Sequence, residues 1–177
     1  LIAICGMVHG QDSLNMRLIG RWDAPDTVGF YSWPSNSFTV IGNKAFLGSG
    51  AYGGSIWQID ISNPESPSLD TFFMSTGGSL GSWSNYLYAA GGGRLRVFDA
   101  NSTPPTLLSD TTGDYAYNAA DADSGYVVSF RAWTPSGSTI FDATGPYNPF
   151  RIEGGGGSYT LEIHDTYIRY PFYYSVD

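Results

Sequence analysis

Three segments of the chain share an unusual spelling: an alternating apolar run, an Asp, a turn containing Pro, then an apolar restart. They are Ile56–Asp60 (IWQID) followed by ISNPESPSL, Leu95–Asp99 (LRVFD) followed by ANSTPPTL, and Ser138–Asp142 (STIFD) followed by ATGPYNPF. A fourth run, Tyr173–Asp177 (YYSVD), ends the same way, so successive Asp residues stand 39, 43 and 35 positions apart. A second landmark keeps separate time. In VIGNKAFLG, SWSNYLYAA, ADSGYVVSF and IHDTYIRYP, two small or polar residues separate β-prone runs. Taking Asn43, Asn85, Ser124 and Asp165 as equivalents gives steps of 42, 39 and 41 residues. Two landmarks recurring at about 40 residues confine the chain to copies of one supersecondary unit laid side by side.

Each unit reads as four short strands. In the first, strand a is RLIGRW, b is FTVI, c is KAFLGS and d is SIWQID. The Gly-Asn, Ser-Asn and Ser-Gly pairs between b and c suit two-residue hairpins that need positive φ. Aromatics make up 16% of the 177 residues, with 23 Gly and 10 Pro, so almost no window is long enough for a helix. The expected fold is therefore all-β: a β-propeller with about four visible four-stranded blades of about 40 residues. A parallel β-helix needs a shorter coil, and a sandwich needs no period. Because the chain stops at Asp177 on a strand end, we expect it to belong to a larger propeller of six to eight blades. A self-closing four-bladed ring or an assembly of pieces is the alternative.

The Asp residues have a mechanical explanation. An Asp at a strand end can accept a hydrogen bond from the backbone N–H two residues on, forming an Asx turn. Asn63-Pro64, Pro104-Pro105 and Gly145-Pro146 then fix φ and remove donors. On this reading the turn is the joint between blades, and Leu69, Leu107 and Ile152 restart the next one. Asn15–Gly20 (NMRLIG) is the same restart without a preceding blade. Asp60, Asp99 and Asp142 are read as turn residues rather than catalytic acids.

These segments resemble LVIVD-repeat proteins, named for the five-residue d strand. The resemblance rests on IWQIDISNPESPSL, LRVFDANSTPPTL and VIGNKAFLGS and covers roughly residues 15–177. It implies a β-propeller in a bacterial, extracytoplasmic setting, secreted or at the cell surface. It implies no enzyme, since the family has no shared catalytic motif to carry across. The chain departs from the pattern in a long c–d connection in the third unit and a Gly-rich entrance, EGGGGS, in the fourth.

Residues 1–10 (LIAICGMVHG) are apolar and turn abruptly polar at Gln11, as at the end of a secretory signal peptide, which leaves 11–177 as the propeller. A buried first strand is the competing reading. Cys5 is the sole cysteine, so there is no disulfide framework or thiolate cluster, and Ile4 is too bulky for a lipoprotein signal. No run is long enough to span a membrane as a helix. The net charge of −8 disfavours nucleic acid as a partner. Neighbouring domains and an unknown protein or glycan ligand are the expected partners, and no cofactor is expected.

Several catalytic templates match in letters alone. Gly77–Gly81 (GGSLG) fits a nucleophile elbow on Ser79, but strand and hairpin sequence comes next where a helix is required. Gly48–Gly53 (GSGAYG) fits a dinucleotide fingerprint and likewise runs into a strand. Asp121–Gly125 (DADSG) begins like a calcium loop without the distant Glu and reads better as a b–c turn. His164 beside Asp165 has no second ligand beyond the signal region. Asn101-Ser102-Thr103 fits a glycosylation sequon and is read as turn chemistry. No catalytic residue, metal site or cofactor-binding residue is assigned.

Topology gives the better lead. In an up-and-down blade the a–b and c–d loops leave one end, and the b–c and d–a turns leave the other. The first end carries Asp23–Ser37 and Phe130–Gly137, which are long and aromatic. Rigid exposed aromatics on loops make good binding anchors. Tyr31, Trp33, Arg131 and Trp133 are the ligand-face candidates, with packing of Trp33 and Trp133 between blades as the competing reading. Trp57 and Trp83 are assigned to the core. The function expected is a non-catalytic binding or scaffold module. The alternative is a lactonase-like propeller hydrolase with a metal or carboxylates in the central channel, which would need inner-strand acids that do not recur here.

Overall fold

Short runs rich in β-branched and aromatic residues, punctuated by residues that tolerate positive φ, favour tight antiparallel hairpins. The computed structural model describes residues 18–23, 37–48, 54–74, 79–91, 93–112, 119–131, 137–154, 165–169 and 172–176. They form three four-stranded antiparallel sheets and one two-stranded sheet. The first sheet is β1 (Ser37–Ile41), β2 (Lys44–Gly48), β3 (Ser55–Asp60) and β4 (Ser68–Met74). The second is β5 (Ser79–Trp83), β6 (Tyr86–Gly91), β7 (Arg94–Asp99) and β8 (Thr106–Thr112). The third is β9 (Ala119–Asp123), β10 (Tyr126–Arg131), β11 (Gly137–Asp142) and β12 (Phe150–Gly154). The last is β13 (Asp165–Arg169) with β14 (Phe172–Val176). In each four-stranded sheet, spatial order follows chain order. The first strands form an inner series, β1 against β5, β5 against β9, and β9 against β13. This is the architecture of a partial β-propeller.

The three complete sheets open with a two-residue hairpin. Ile41 faces Lys44 across Gly42-Asn43, Trp83 faces Tyr86 across Ser84-Asn85, and Asp123 faces Tyr126 across Ser124-Gly125. The first turn residue has positive φ each time: +57° at Gly42, +55° at Ser84 and +54° at Ser124. Ser124 therefore corresponds to Ser84, and Gly125 to Asn85, one residue later than the spacing of the sequence landmarks implies.

The third strands end in the expected Asx turns. Asp60 Oδ1 accepts from the Ser62 N–H at 2.8 Å, Asp99 Oδ1 from Asn101 N–H at 2.9 Å, and Asp142 Oδ1 from Thr144 N–H at 3.0 Å. The residue after each Asp reaches back to the first hairpin. Ile61 N–H donates to the Asn43 carbonyl at 2.9 Å, Ala100 N–H to Asn85 at 2.9 Å, and Ala143 N–H to Gly125 at 2.8 Å. The two landmarks that recur separately along the sequence thus meet in space.

The segment after each Asp corrects one expectation. IDISNPESPSL does not join two blades: β3 pairs with β4, β7 with β8 and β11 with β12, so the turn lies inside a sheet. Pro64, Pro104 and Pro146 sit in the loop before the strand resumes, so their missing N–H groups do not interrupt the ladder. The free edge of the third strand then recruits the restart segment as a fourth strand. Each third–fourth pairing shifts register just before the Asp, leaving Asp70, Leu108 and Ile152 as the extra residue of a β-bulge. Two further expectations change. RLIGRW is no strand: residues 18–23 pair in no sheet. YYSVD does not take a third strand's place: β13 lies in the inner series beside β9, β14 pairs with it as a second strand would, and Asp165 opens a strand rather than occupying a turn.

The core lies between sheets. Phe46 and Ile56 of the first sheet, with Ile41 and Phe73, pack on Leu80, Leu87, Ala89, Phe98 and Ala100 of the second. Tyr88, Ala90, Leu95 and Val97 of the second pack on Ala122, Val127, Phe141 and Ala143 of the third. Alternation explains it: along β6, Leu87 and Ala89 face one neighbour, and Tyr88 and Ala90 the other. Blades buried on both faces need apolar residues at consecutive positions, which is why β6 reads YLYAAG.

Candidate functional site

The sheets emit their connections at two ends. One end carries the three first hairpins and the three Asp turns. At the other end lie the strand ends Gly48 and Ser55, Gly91 and Arg94, Arg131 and Gly137, together with Met74, Ser79, Thr112 and Ala119. The partition of loops between ends is the one expected, although the strands it joins are renumbered within each unit. Arg131, the last residue of β10, pairs with Gly137 at the loop end. Tyr31, Trp33 and Trp133 lie outside the described residues, as does His164.

The turn end is chemically occupied. Hydrogen bonds from Ser62, backbone N–H first and side chain second, hold the Asp60 carboxyl below its ordinary range; burial opposes them, and the Lys44 charge adds a lesser favourable effect. Thr144 donates both its N–H and its hydroxyl to Asp142, at 3.0 and 2.6 Å. Ser102 and Thr106 hydroxyls close the second turn at 2.9 Å. A carboxylate whose lone pairs serve its own turn makes a poor general base.

A polar cluster bridging the first two sheets escaped the sequence reading. Lys44 extends its ammonium from β2 into the second Asp turn, donating to the carbonyls of Ala100 at 2.9 Å and Ser102 at 3.1 Å and to Thr103 Oγ1 at 3.2 Å. Buried Gln58 donates through Nε2 to Thr103 Oγ1 and to Asp70 Oδ2, both at 2.9 Å. Neighbouring contacts between β1 and β5 join Thr39 Oγ1 to Ser82 Oγ and the Leu80 N–H to Ser37 Oγ, the latter at 2.7 Å. The signal available was Lys44 itself, the sole Lys in the sequence, directly after a hairpin turn. Its ammonium fills the site it makes, so the cluster locks sheets together.

The remaining motifs settle into structure. Ser79 is buried in β5 opposite Ala90, with a strand where a nucleophile elbow needs a helix. Asp121 and Asp123 lie on β9, and Ser124-Gly125 is a hairpin turn. Asn101–Thr103 forms the second Asp turn. Trp57 is core, but Trp83 is corrected: at the end of β5 beside the hairpin, it is exposed. Burial raises the Tyr88 phenol to about 12, with Tyr86 adding to the effect, so it stays protonated within the core. Among the described residues no group of three His, Cys, Asp or Glu side chains could hold a metal ion. No helix among them is long and apolar enough to cross a membrane.

Solved structures similar to this one are β-propellers. A europium-containing methanol dehydrogenase aligns with a TM-score of 0.53 at 12% identity, over 71% of this chain and 26% of its own. BamB from Moraxella catarrhalis aligns with a TM-score of 0.56 at 12% identity, over 78% of this chain and 39% of its own. This chain therefore spans between about a quarter and two fifths of the structures it matches. At that identity the likeness shows the fold alone. No protein-family model matches the chain. No curated protein sequence matches it either.

Proposed function

We propose that this chain is part of a non-catalytic β-propeller, secreted or at a cell surface, that binds a protein or glycan at its loop end through Tyr31, Trp33, Arg131 and Trp133. The observation that carries the reading is the division of labour between ends. The repeating acids of the turn end are engaged in their own backbone turns. The connections that do not repeat leave from the opposite end, where Arg131 closes its strand. Variable aromatic loops on a rigid scaffold suit recognition, since two-torsion side chains lose little entropy on binding. We also read the repeat as LVIVD-like, with β3, β7 and β11 as the strands that carry the five-residue signature.

The test is a screen of the purified chain against a glycan array and against extracellular protein ectodomains, with each hit then titrated against variants. Trp33→Ala and Trp133→Ala should each weaken binding by roughly tenfold or more, the range of an interface anchor, with unchanged circular dichroism. Binding lost instead in Asp60→Ala or Asp99→Ala would place the site at the wrong end. Turnover of lactone or ester substrates would favour the hydrolase reading.

A further inference from the structure

The second sheet departs from the repeat at one place. Counting back from the Asp that ends each third strand, Arg94 and Arg96 of β7 stand where β3 has Ser55 and Trp57 and β11 has Gly137 and Thr139. Asp110 lies opposite Arg96 on β8, where Phe72 lies opposite Trp57 and Gly154 opposite Thr139. The other two four-stranded sheets form without charge at these positions, so the blade itself does not require it.

The three side chains form one cluster. Arg94 Nη1 donates to Asp110 Oδ2 at 2.7 Å, and Arg96 Nε donates to the same oxygen at 3.2 Å. The side chains of Arg94, Arg96 and Asp110 are 39%, 18% and 25% exposed, so they are held against the sheet yet reach solvent. Two cations share one carboxylate, which leaves a positive charge in excess within a chain of 16 acids and 8 bases. Surplus charge that is partly withdrawn from water is costly unless an anion answers it. Each guanidinium has five N–H donors, and among the described residues Asp110 engages one from each. The cluster lies at the loop end, since Arg94 opens β7 and pairs with Gly91, the last residue of β6. Ala89, paired with Arg96, belongs to the core shared with the first sheet. Both arginines therefore lie on the side of the second sheet that faces the first.

We propose that Arg94 and Arg96 bind the carboxylate of an acidic sugar, a uronic or sialic acid residue, within a glycan held at the loop end; this rests on loop-end binding as proposed above. Asp110 orients the two planar forks, and their remaining N–H groups match the paired oxygens of a carboxylate. Net charge decides between classes of ligand. A chain of net charge −8 repels a strongly acidic peptide at long range, whereas a sugar acid brings its charge among neutral hydroxyls.

The experiment is isothermal titration calorimetry of the purified 177-residue chain with oligogalacturonate and with sialyllactose. Each is compared with its neutral, carboxyl-reduced counterpart, and an oligoglutamate peptide is titrated alongside. We expect an acidic glycan to bind, and its reduced counterpart to bind at least roughly tenfold more weakly, the range of a charged hydrogen-bonded contact. Arg94→Gln and Arg96→Gln should each cost a similar factor, with an unchanged circular dichroism spectrum. Arg94→Lys keeps the charge but not the fork, and should recover only part of the loss. Arg94 is the more exposed of the two, so its variants carry the test where Arg96→Gln perturbs folding. The proposal is overturned by binding of neither acidic glycan, by equal binding of acidic and reduced forms, by indifference to both arginines, or by binding of oligoglutamate alone. Binding that depends on Trp33 and Trp133 but not on the arginines would overturn it while leaving loop-end recognition standing. Acidic-glycan binding lost in the arginine variants but kept in Trp33→Ala and Trp133→Ala would uphold the arginine site and remove the aromatic anchors.

Discussion

At the scale of single residues, the structure depends on turns more than on any one core side chain. Gly125 combines φ of +80° with a tight neighbour, since a Cβ there would stand 2.8 Å from Thr144 Cγ2 and 3.0 Å from its Cα. Gly125→Ala should lower stability by about 1–3 kcal/mol in a urea titration, the range for a strained and overpacked site. Gly20 is equally constrained, because a Cβ would collide with the Pro64 carbonyl oxygen where segment 18–23 crosses the first Asp turn. Asp60 supplies a pH signature. Its folded pKa lies below the ordinary 3.8. The stability it contributes is complete above the unfolded value and is lost as pH falls through the folded one. Asp60→Ala should therefore cost stability at neutral pH, and the difference from the parent should shrink below about pH 3.8. A difference that grew with acidity would contradict the turn geometry. These roles were legible in advance, because Asp before a turn and Ser-Gly between β-runs each have one dominant mechanism.

At the scale of strands and sheets, the repeat revealed the unit but left its phase open. Four strands per period can be cut anywhere in the cycle, and the proline-containing loop after Asp60 suggested a boundary. Pairing of β3 with β4 shows the boundary elsewhere, between Met74 and Ser79. Proline stops a ladder only where its N–H would have donated, and local sequence does not say where that is. Coupling between sheets was invisible for a related reason: Lys44 and Thr103 stand 59 residues apart, and no local pattern announces their meeting. Lys44→Met keeps the stem and removes the ammonium that holds the second Asp turn. We expect a loss of about 1–2 kcal/mol, reduced from the range for charged hydrogen bonds because the group is partly exposed, measured by chemical denaturation. Gln58→Leu should leave Asp70 and Thr103 without their shared donor. In a double-mutant cycle with Thr103→Val it should couple by about 0.5 kcal/mol or more.

At the scale of the whole molecule, the described sheets form a series in which successive sheets bury their facing sides against each other. That principle explains the two inter-sheet cores. The proposed ligand-face residues were the least legible part, since non-repeating connections cannot be checked against a repeat. Arg131 is placed at the loop end by the pairing of β10 with β11. Whether each Asp turn lies within a sheet or between sheets can be read from cross-strand amide and Hα contacts in the nuclear magnetic resonance spectrum of the labelled chain. We expect close contacts between Gln58 and Thr71 and between Ile59 and Leu69, interrupted by the Asp70 bulge, and the same pattern at Val97 with Ser109 and Phe98 with Leu107. Strong contacts from Leu69 or Leu107 to the first strand of the next sheet, with none to Ile59 or Phe98, would return the Asp turn to a joint between blades and contradict the architecture described.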